Sequence, residues 1–249
     1  MTPEILPTSF LHWLVVASFA VSALGSYVAL GAARVMRDRR GGVSRVNAML
    51  AGVALGGVGI WSMHFLGMLA WDAGLALGYR LSETLLSLLI AVGVSSLALG
   101  YIAAGPFTWR RLLVAGPLAG LGVAAVHFMG MASVRFGGFL QWDGGLVLLA
   151  VGIAVVAATA ALWLAFGPGQ RIPRGLSALV MAAAVCTMHY TGMAAADVVC
   201  TTADRAAKVA GLLYGDELAM LVMSVAIGAV VIIAADLMFQ RLSRVGAPA

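Results

Sequence analysis

The sequence predicts an all-α fold, a bundle of seven transmembrane helices, and three observations predict it. Of the 249 residues, 62% are hydrophobic, and the mean hydropathy is +1.02. Charged residues make up 10%, against roughly 25% in an average soluble domain. Seven stretches lack Asp, Glu, Lys and Arg altogether: 5–33, 46–71, 84–109, 112–134, 144–170, 175–196 and 218–235. A soluble domain has too little interior to hide that much apolar side chain, and a disordered chain does not carry it. Each stretch reaches the roughly 17–25 residues that a helix needs to cross hydrocarbon. Continuous apolarity, rather than period-two alternation, makes them helices and not barrel strands.

The charges orient the bundle. Arg34, Arg37, Arg39, Arg40 and Arg45 lie between spans one and two. Arg110 and Arg111 follow span three, Arg171 and Arg174 follow span five, and Arg241 and Arg244 follow span seven. Eleven of the fifteen basic residues thus fall on one side. Arg80, Arg135, Arg205 and Lys208 fall on the other, among eight carboxylates. The positive-inside rule puts the N-terminus outside and the C-terminus in the cytoplasm. The net charge of +5 therefore reads as membrane topology, with lipid as the partner and no nucleic acid. Nothing basic precedes span one except the terminal amine, so a cleaved signal peptide is not expected. The connections are short and leave no room for a soluble catalytic or output domain within residues 1–249. The chain reads as a single membrane unit and not as an enzyme.

A hexapeptide recurs three times. Span two contains Met63-His64-Phe65-Leu66-Gly67-Met68, and span four contains Val126-His127-Phe128-Met129-Gly130-Met131. Span six contains Met188-His189-Tyr190-Thr191-Gly192-Met193. The histidines stand 63 and 62 residues apart, so the repeat is a pair of helices occurring three times, roughly 46–104, 112–166 and 175–238. His at i and Met at i+4 share a helix face, pairing His64 with Met68, His127 with Met131 and His189 with Met193. Gly at i+3 admits a neighbouring helix, and Gly52-x-x-x-Gly56 and Gly116-x-x-x-Gly120 extend the small-residue character. Spans two, four and six are expected to pack through these faces.

All three spans run outward, and a charged residue follows each histidine by eight positions: Asp72, Arg135 and Asp197. Each imidazole then sits about 12 Å inside that boundary, at one common level. His12, beside Trp13, is shallower and reads as interfacial. A lone histidine in a membrane helix is often only a packing residue. Three at one depth and in one register point to a shared site. Imidazole with thioether is a borderline-to-soft donor set that suits copper, particularly Cu(I). Zinc, calcium and magnesium fit less well, since the hexapeptides hold no carboxylate. Cys186, one turn before His189, has Trp61 and Ala124 at the matching positions and reads as packing. No disulfide to Cys200 is expected.

Met188-His189-Tyr190-Thr191 is the MHYT signature itself, with Met63-His64-Phe65 and Val126-His127-Phe128 as variant copies. Over most of its length the chain resembles the bacterial MHYT-domain integral membrane sensors. The resemblance implies copper held by His64, Met68, His127, Met131, His189 and Met193. It also implies detection of a diatomic gas (oxygen, carbon monoxide or nitric oxide) or of redox state. Val126 departs from the leading Met of the motif, so no ligand role is carried over to that position. Many relatives place such a sensor ahead of a diguanylate cyclase, phosphodiesterase or kinase region, which makes such an activity the expected cytoplasmic partner. Three other readings remain open at this point: copper transport or handling, haem ligation between facing histidines, and a structural subunit with no metal.

Overall fold

A computed structural model describes residues 2–34, 36, 42–168 and 172–245. Among them, seven helices are long and apolar enough to cross a membrane. Span one is α1 (His12–Arg34). Span two is composite: α2 (Arg45–Gly52), a π-wound stretch (Val53–Ser62) and α3 (Met63–Leu69). Spans three to seven are α4 (Leu81–Ala103), α5 (Trp109–Ala132), α6 (Gly144–Phe166), α7 (Arg174–Ala194) and α8 (Gly215–Val245). Of the arginines that oriented the bundle, Arg37, Arg39, Arg40 and Arg171 lie outside the described residues. So do the side chains of Arg34, Arg241 and Arg244.

Several helices are shorter than the charge-free stretches that announced them, because absence of charge does not register backbone breaks. Span three ends before Gly105-Pro106 and span five before Gly167-Pro168, where proline withholds the N–H that would continue the helix. The apolar start of the first stretch, around Pro7, is not helical. It forms β1 (Glu4–Leu6) and β2 (Ser9–Phe10). Helix starts follow capping chemistry: Thr108 Oγ1 accepts from Arg111 N at 3.2 Å, and Asp143 Oδ1 accepts from Leu146 N at 2.8 Å.

The even spans form the interior. In their most apolar windows, 78%, 50% and 50% of residues are buried in spans two, four and six, against 33% or less in the odd spans. Each of spans one, three and five bridges two even ones: one lies against two and six, three against two and four, and five against four and six. Span seven packs against the π-wound part of span two. Outward faces such as Val16, Leu89, Leu148 and Val156 remain exposed, as lipid contact requires.

Short strands, absent from the all-helical expectation, close the motif end. They are β3 (Trp71–Asp72), β4 (Gly78–Tyr79), β5 (Val134–Arg135), β6 (Gly138–Trp142) and β7 (Ala196–Cys200). β2 pairs with β3, β4 with β5, and β6 with β7, all antiparallel, while β1 adds to the far edge of β7. Three backbone bonds repeat in register: Leu11 N to Ala70 O, Arg80 N to Ser133 O and Asp143 N to Ala195 O, each 2.9 Å. Each acceptor lies six residues after a motif histidine, so these clasps hold the ends of spans two, four and six at equal height.

The glycine pairs do something other than expected. A side chain at Gly52 or Gly56 would strike Ser96 or Ala91 of span three, and one at Gly116 or Gly120 would strike Thr159 or Ala154 of span five. The odd spans pack against these glycines at this depth, and the even spans come together at their histidine-bearing ends. Across the span two–three contact, the buried Trp61 indole N–H donates to Thr84 O and Ser87 Oγ, both at 3.0 Å. Trp61→Phe keeps most of the ring volume but removes the donor. It should lower stability by about 1–3 kcal/mol, read as a reduced thermal unfolding midpoint in detergent or lipid.

Candidate metal centre

The threefold packing brings the three hexapeptides to one point. α3, α5 and α7 each end five residues after their histidine, which sets His64, His127 and His189 at one level on three adjacent helices. All three are 1–2% exposed. His189 Nδ1 lies 3.0 Å from His64 Nδ1 and 3.2 Å from His127 Nδ1. The ring centroids are 4.9–5.2 Å apart, and the ring planes stand at 85–88° to one another. One nitrogen from each ring falls within a group no more than 4.8 Å across.

The outward nitrogens follow a cyclic rule that the spacing alone did not show. A Cβ built on Gly130 would lie 2.0 Å from His64 Nε2. One on Gly192 would lie 2.2 Å from His127 Nε2, and one on Gly67 would lie 2.2 Å from His189 Nε2. Each histidine of one repeat is therefore seated on the motif glycine of another. The sequence reading gave glycine the task of admitting a helix; in the structure it admits an imidazole. The motif aromatic stands edge-on to its own histidine in every copy, at 4.8 Å for Phe65, 4.9 Å for Phe128 and 4.8 Å for Tyr190. Only the Tyr190 copy has a hydroxyl, and it pairs with Ser18 Oγ of span one at 3.0 Å. Phe65 packs against Trp61 and, at the strand end, against Tyr79, whose buried phenol is pushed up and kept protonated.

Hydrogen bonding alone does not satisfy this cluster. A neutral imidazole has one N–H and one lone pair, in the ring plane. His189 Nδ1 faces two other Nδ1 atoms and can serve one of them. Nε2 of all three rings is buried without a well-formed hydrogen bond. An unpaired buried polar group costs about 1–3 kcal/mol. A cation at the convergence would take all three Nδ1 lone pairs at once. Metal–nitrogen bonds of about 2.0 Å imply neighbouring nitrogens roughly 3.3–3.5 Å apart. The two short separations fall within a few tenths of an ångström of that range, so the residues present fit a metal ion.

The other residues singled out from the sequence are placed as follows. Met68, Met131 and Met193 are buried, one turn nearer the strands on the same helices. Met131 also lines a pocket of about 530 Å³ with Phe128, Arg135 and Trp142. Cys186 and Cys200 are both free thiols, and Cys186 stands outside the histidine group. His12 is exposed at the start of α1.

Fold and site together define a multi-pass membrane protein with a buried three-histidine group capable of holding a metal. Residues 57–115 and 120–178 match the MHYT family, described as a bacterial signalling protein N-terminal repeat. The chain belongs to that family. It is 43% identical over 197 residues to the bifunctional diguanylate cyclase/cyclic di-GMP phosphodiesterase MucR of Pseudomonas aeruginosa, covering 77% of this chain and 28% of the relative. It is 38% identical over 191 residues to the cyclic di-GMP phosphodiesterase NbdA of the same organism, covering 73% and 24%. The signalling protein YkoW of Bacillus subtilis is 27% identical over 190 residues, covering 74% and 24%. The chain thus spans about a quarter of the length of these relatives. No solved structure matches it.

Proposed function

We propose that this chain is a sensory membrane module that holds copper between His64, His127 and His189, near the outer face of the bacterial inner membrane. The observation that carries the reading is the convergence of three buried Nδ1 atoms, of which hydrogen bonding can pair only two at a time. The donor set favours the monovalent ion. Three neutral imidazoles bring no compensating charge, and the Born cost of burial grows with the square of the charge, about fourfold from one to two. Met68, Met131 and Met193 extend the set with soft thioethers. Bound copper would supply an open coordination position and one-electron chemistry, suited to a diatomic gas or to redox state.

The remaining steps belong to the protein. Each ring is seated on the glycine of another helix, so displacement of one histidine presses directly on a second motif span and passes around the ring. Movement of spans two, four and six would reach the cytoplasmic ends and act on a diguanylate cyclase, phosphodiesterase or kinase. This chain itself would act as a non-enzymatic sensor. The relatives' printed activities support that class of output.

Two rival readings lose ground on geometry. Rings in contact at 4.9–5.2 Å leave no slot for a haem macrocycle between them. Transport would need further donors below the site, where Ile60, Val123 and Val185 line an apolar cavity. The test is copper per chain in gently solubilised, Cu(I)-exposed protein. Wild type should hold stoichiometric copper, and the His64/His127/His189 triple Ala variant should hold none while still inserting. Met68→Leu, Met131→Leu and Met193→Leu preserve volume. Copper retained in all three, with unchanged affinity, would confine the ligands to histidine. Stoichiometric copper in the triple His variant would sink the whole reading.

A further inference from the structure

Directly beneath the histidines lies a space of about 40 Å³ between spans two to six. Its upper wall repeats with the motif. Ile60, Val123 and Val185 each stand four residues before a histidine, about 6 Å deeper along the helix axis. The next layer down repeats as well: Ala119 and Met181 lie eight residues before His127 and His189. Leu55 lies nine before His64, the extra residue being absorbed by the wider π winding of span two. The cavity is therefore a product of the same threefold repeat as the site above it.

Its chemistry is uniform. Apart from Ser95, every lining side chain is aliphatic or Met, and no charge faces it. A single water would find too few of the two to four polar partners it needs, and apolar cavities of this kind stay dry and take up apolar guests such as xenon. The wall is not sealed: Ala119, Ala158 and Ala184, on spans four, five and six, are only half-buried. Those short side chains stand where the bundle meets hydrocarbon, in which apolar solutes concentrate relative to water.

We propose that this cavity is a binding site for a small uncharged apolar ligand, of diatomic or single-atom size, that enters laterally from the lipid and is held one helical turn beneath the histidines. The proposal rests on the sensor reading for its purpose but not for its existence. If copper sits above, the cavity is the lipid-side approach to it. The ligand class follows from the lining: polar or ionic molecules are excluded by desolvation, and larger apolar ones by volume.

The experiment uses xenon as the probe, by xenon-129 NMR on the full chain in lipid nanodiscs, with empty nanodiscs as baseline. Wild type should show a saturable bound-xenon signal distinct from xenon in lipid. Val123→Phe and Ala98→Leu fill the space from spans four and three, and each should abolish that signal while leaving helical content unchanged. The histidine triple Ala variant should keep it. Xenon binding retained in a protein found to hold no copper supports the cavity and defeats only the metal reading. A signal that never saturates, or one that survives both filling variants, overturns the proposal.

Discussion

Gly130→Ala should weaken copper binding at the proposed site while leaving the seven-span bundle in place. The added methyl would lie 2.0 Å from His64 Nε2, far inside van der Waals contact, and a helix backbone gives less readily than a side chain. The imidazole must therefore leave its seat, taking Nδ1 away from His189. Overpacking of this kind costs about 1–3 kcal/mol. The larger effect falls on the ligand geometry, where disturbing an orienting contact commonly costs about 10–100-fold in metal affinity. Gly67→Ala and Gly192→Ala should behave alike, displacing His189 and His127 in turn. Gly93→Ala and Gly152→Ala are the controls, since both positions face open space in equally apolar helices. Copper affinity by competition against a Cu(I) chelator separates the two groups. Wild-type affinity in Gly130→Ala would refute the seating argument.

His189→Ala is expected to be the most damaging of the three single histidine substitutions. His189 Nδ1 makes both short contacts, 3.0 Å to His64 and 3.2 Å to His127, so its removal breaks the group at its hub. In metal-free protein the loss should exceed that of His64→Ala or His127→Ala by about 1 kcal/mol, the net value of one further hydrogen bond. In copper-exposed protein the remaining pair lacks its shared neighbour, and binding should fall further than in either other variant. Thermal midpoints without metal and chelator competition with it give the two rankings. Equal losses without metal would refute the hub, and equal losses of copper affinity alone would mean that the bound ion, rather than His189, organises the triangle.

Much of this arrangement was legible in the chain. The seven spans showed because hydrocarbon demands long charge-free helices, a constraint written directly in composition. His64, His127 and His189 showed because a helix converts constant spacing into constant depth. The breaks were less visible. Residues 5–10 belong to the first charge-free stretch, yet 5–6 and 9–10 lie in strands, since absence of charge does not distinguish a helix from a strand at the bundle's lid. The Gly-Pro ends at 105–106 and 167–168 were readable from proline chemistry, but counting charges passes over them. The π winding at Val53–Ser62 left no sequence signal, because it reflects packing against spans one, three and seven.

The glycines mark the boundary between what sequence and structure each decide. Gly52, Gly56, Gly116 and Gly120 have the same local signature as Gly67, Gly130 and Gly192, and a periodicity argument treats them alike. In the folded protein the first group seats odd helices, and the second seats imidazole rings. Neighbours differ with depth, and depth-dependent neighbours are a property of how helices are arranged. The three lining positions below the histidines were hidden for the same reason: an Ile and two Val in apolar helices carry no mark until three of them face one space.

By itself, then, the sequence determined that the protein crosses a membrane seven times, that it repeats a helix pair, and that three histidines share a level. Those follow from transfer free energy and helical periodicity, which act residue by residue. Only the tertiary structure decided that the histidines face one another through Nδ1, that each rests on the glycine of another repeat, and that an apolar cavity lies beneath. These are relations between segments more than sixty residues apart, and they arise only when the strand clasps and the odd helices fix the even spans around one axis.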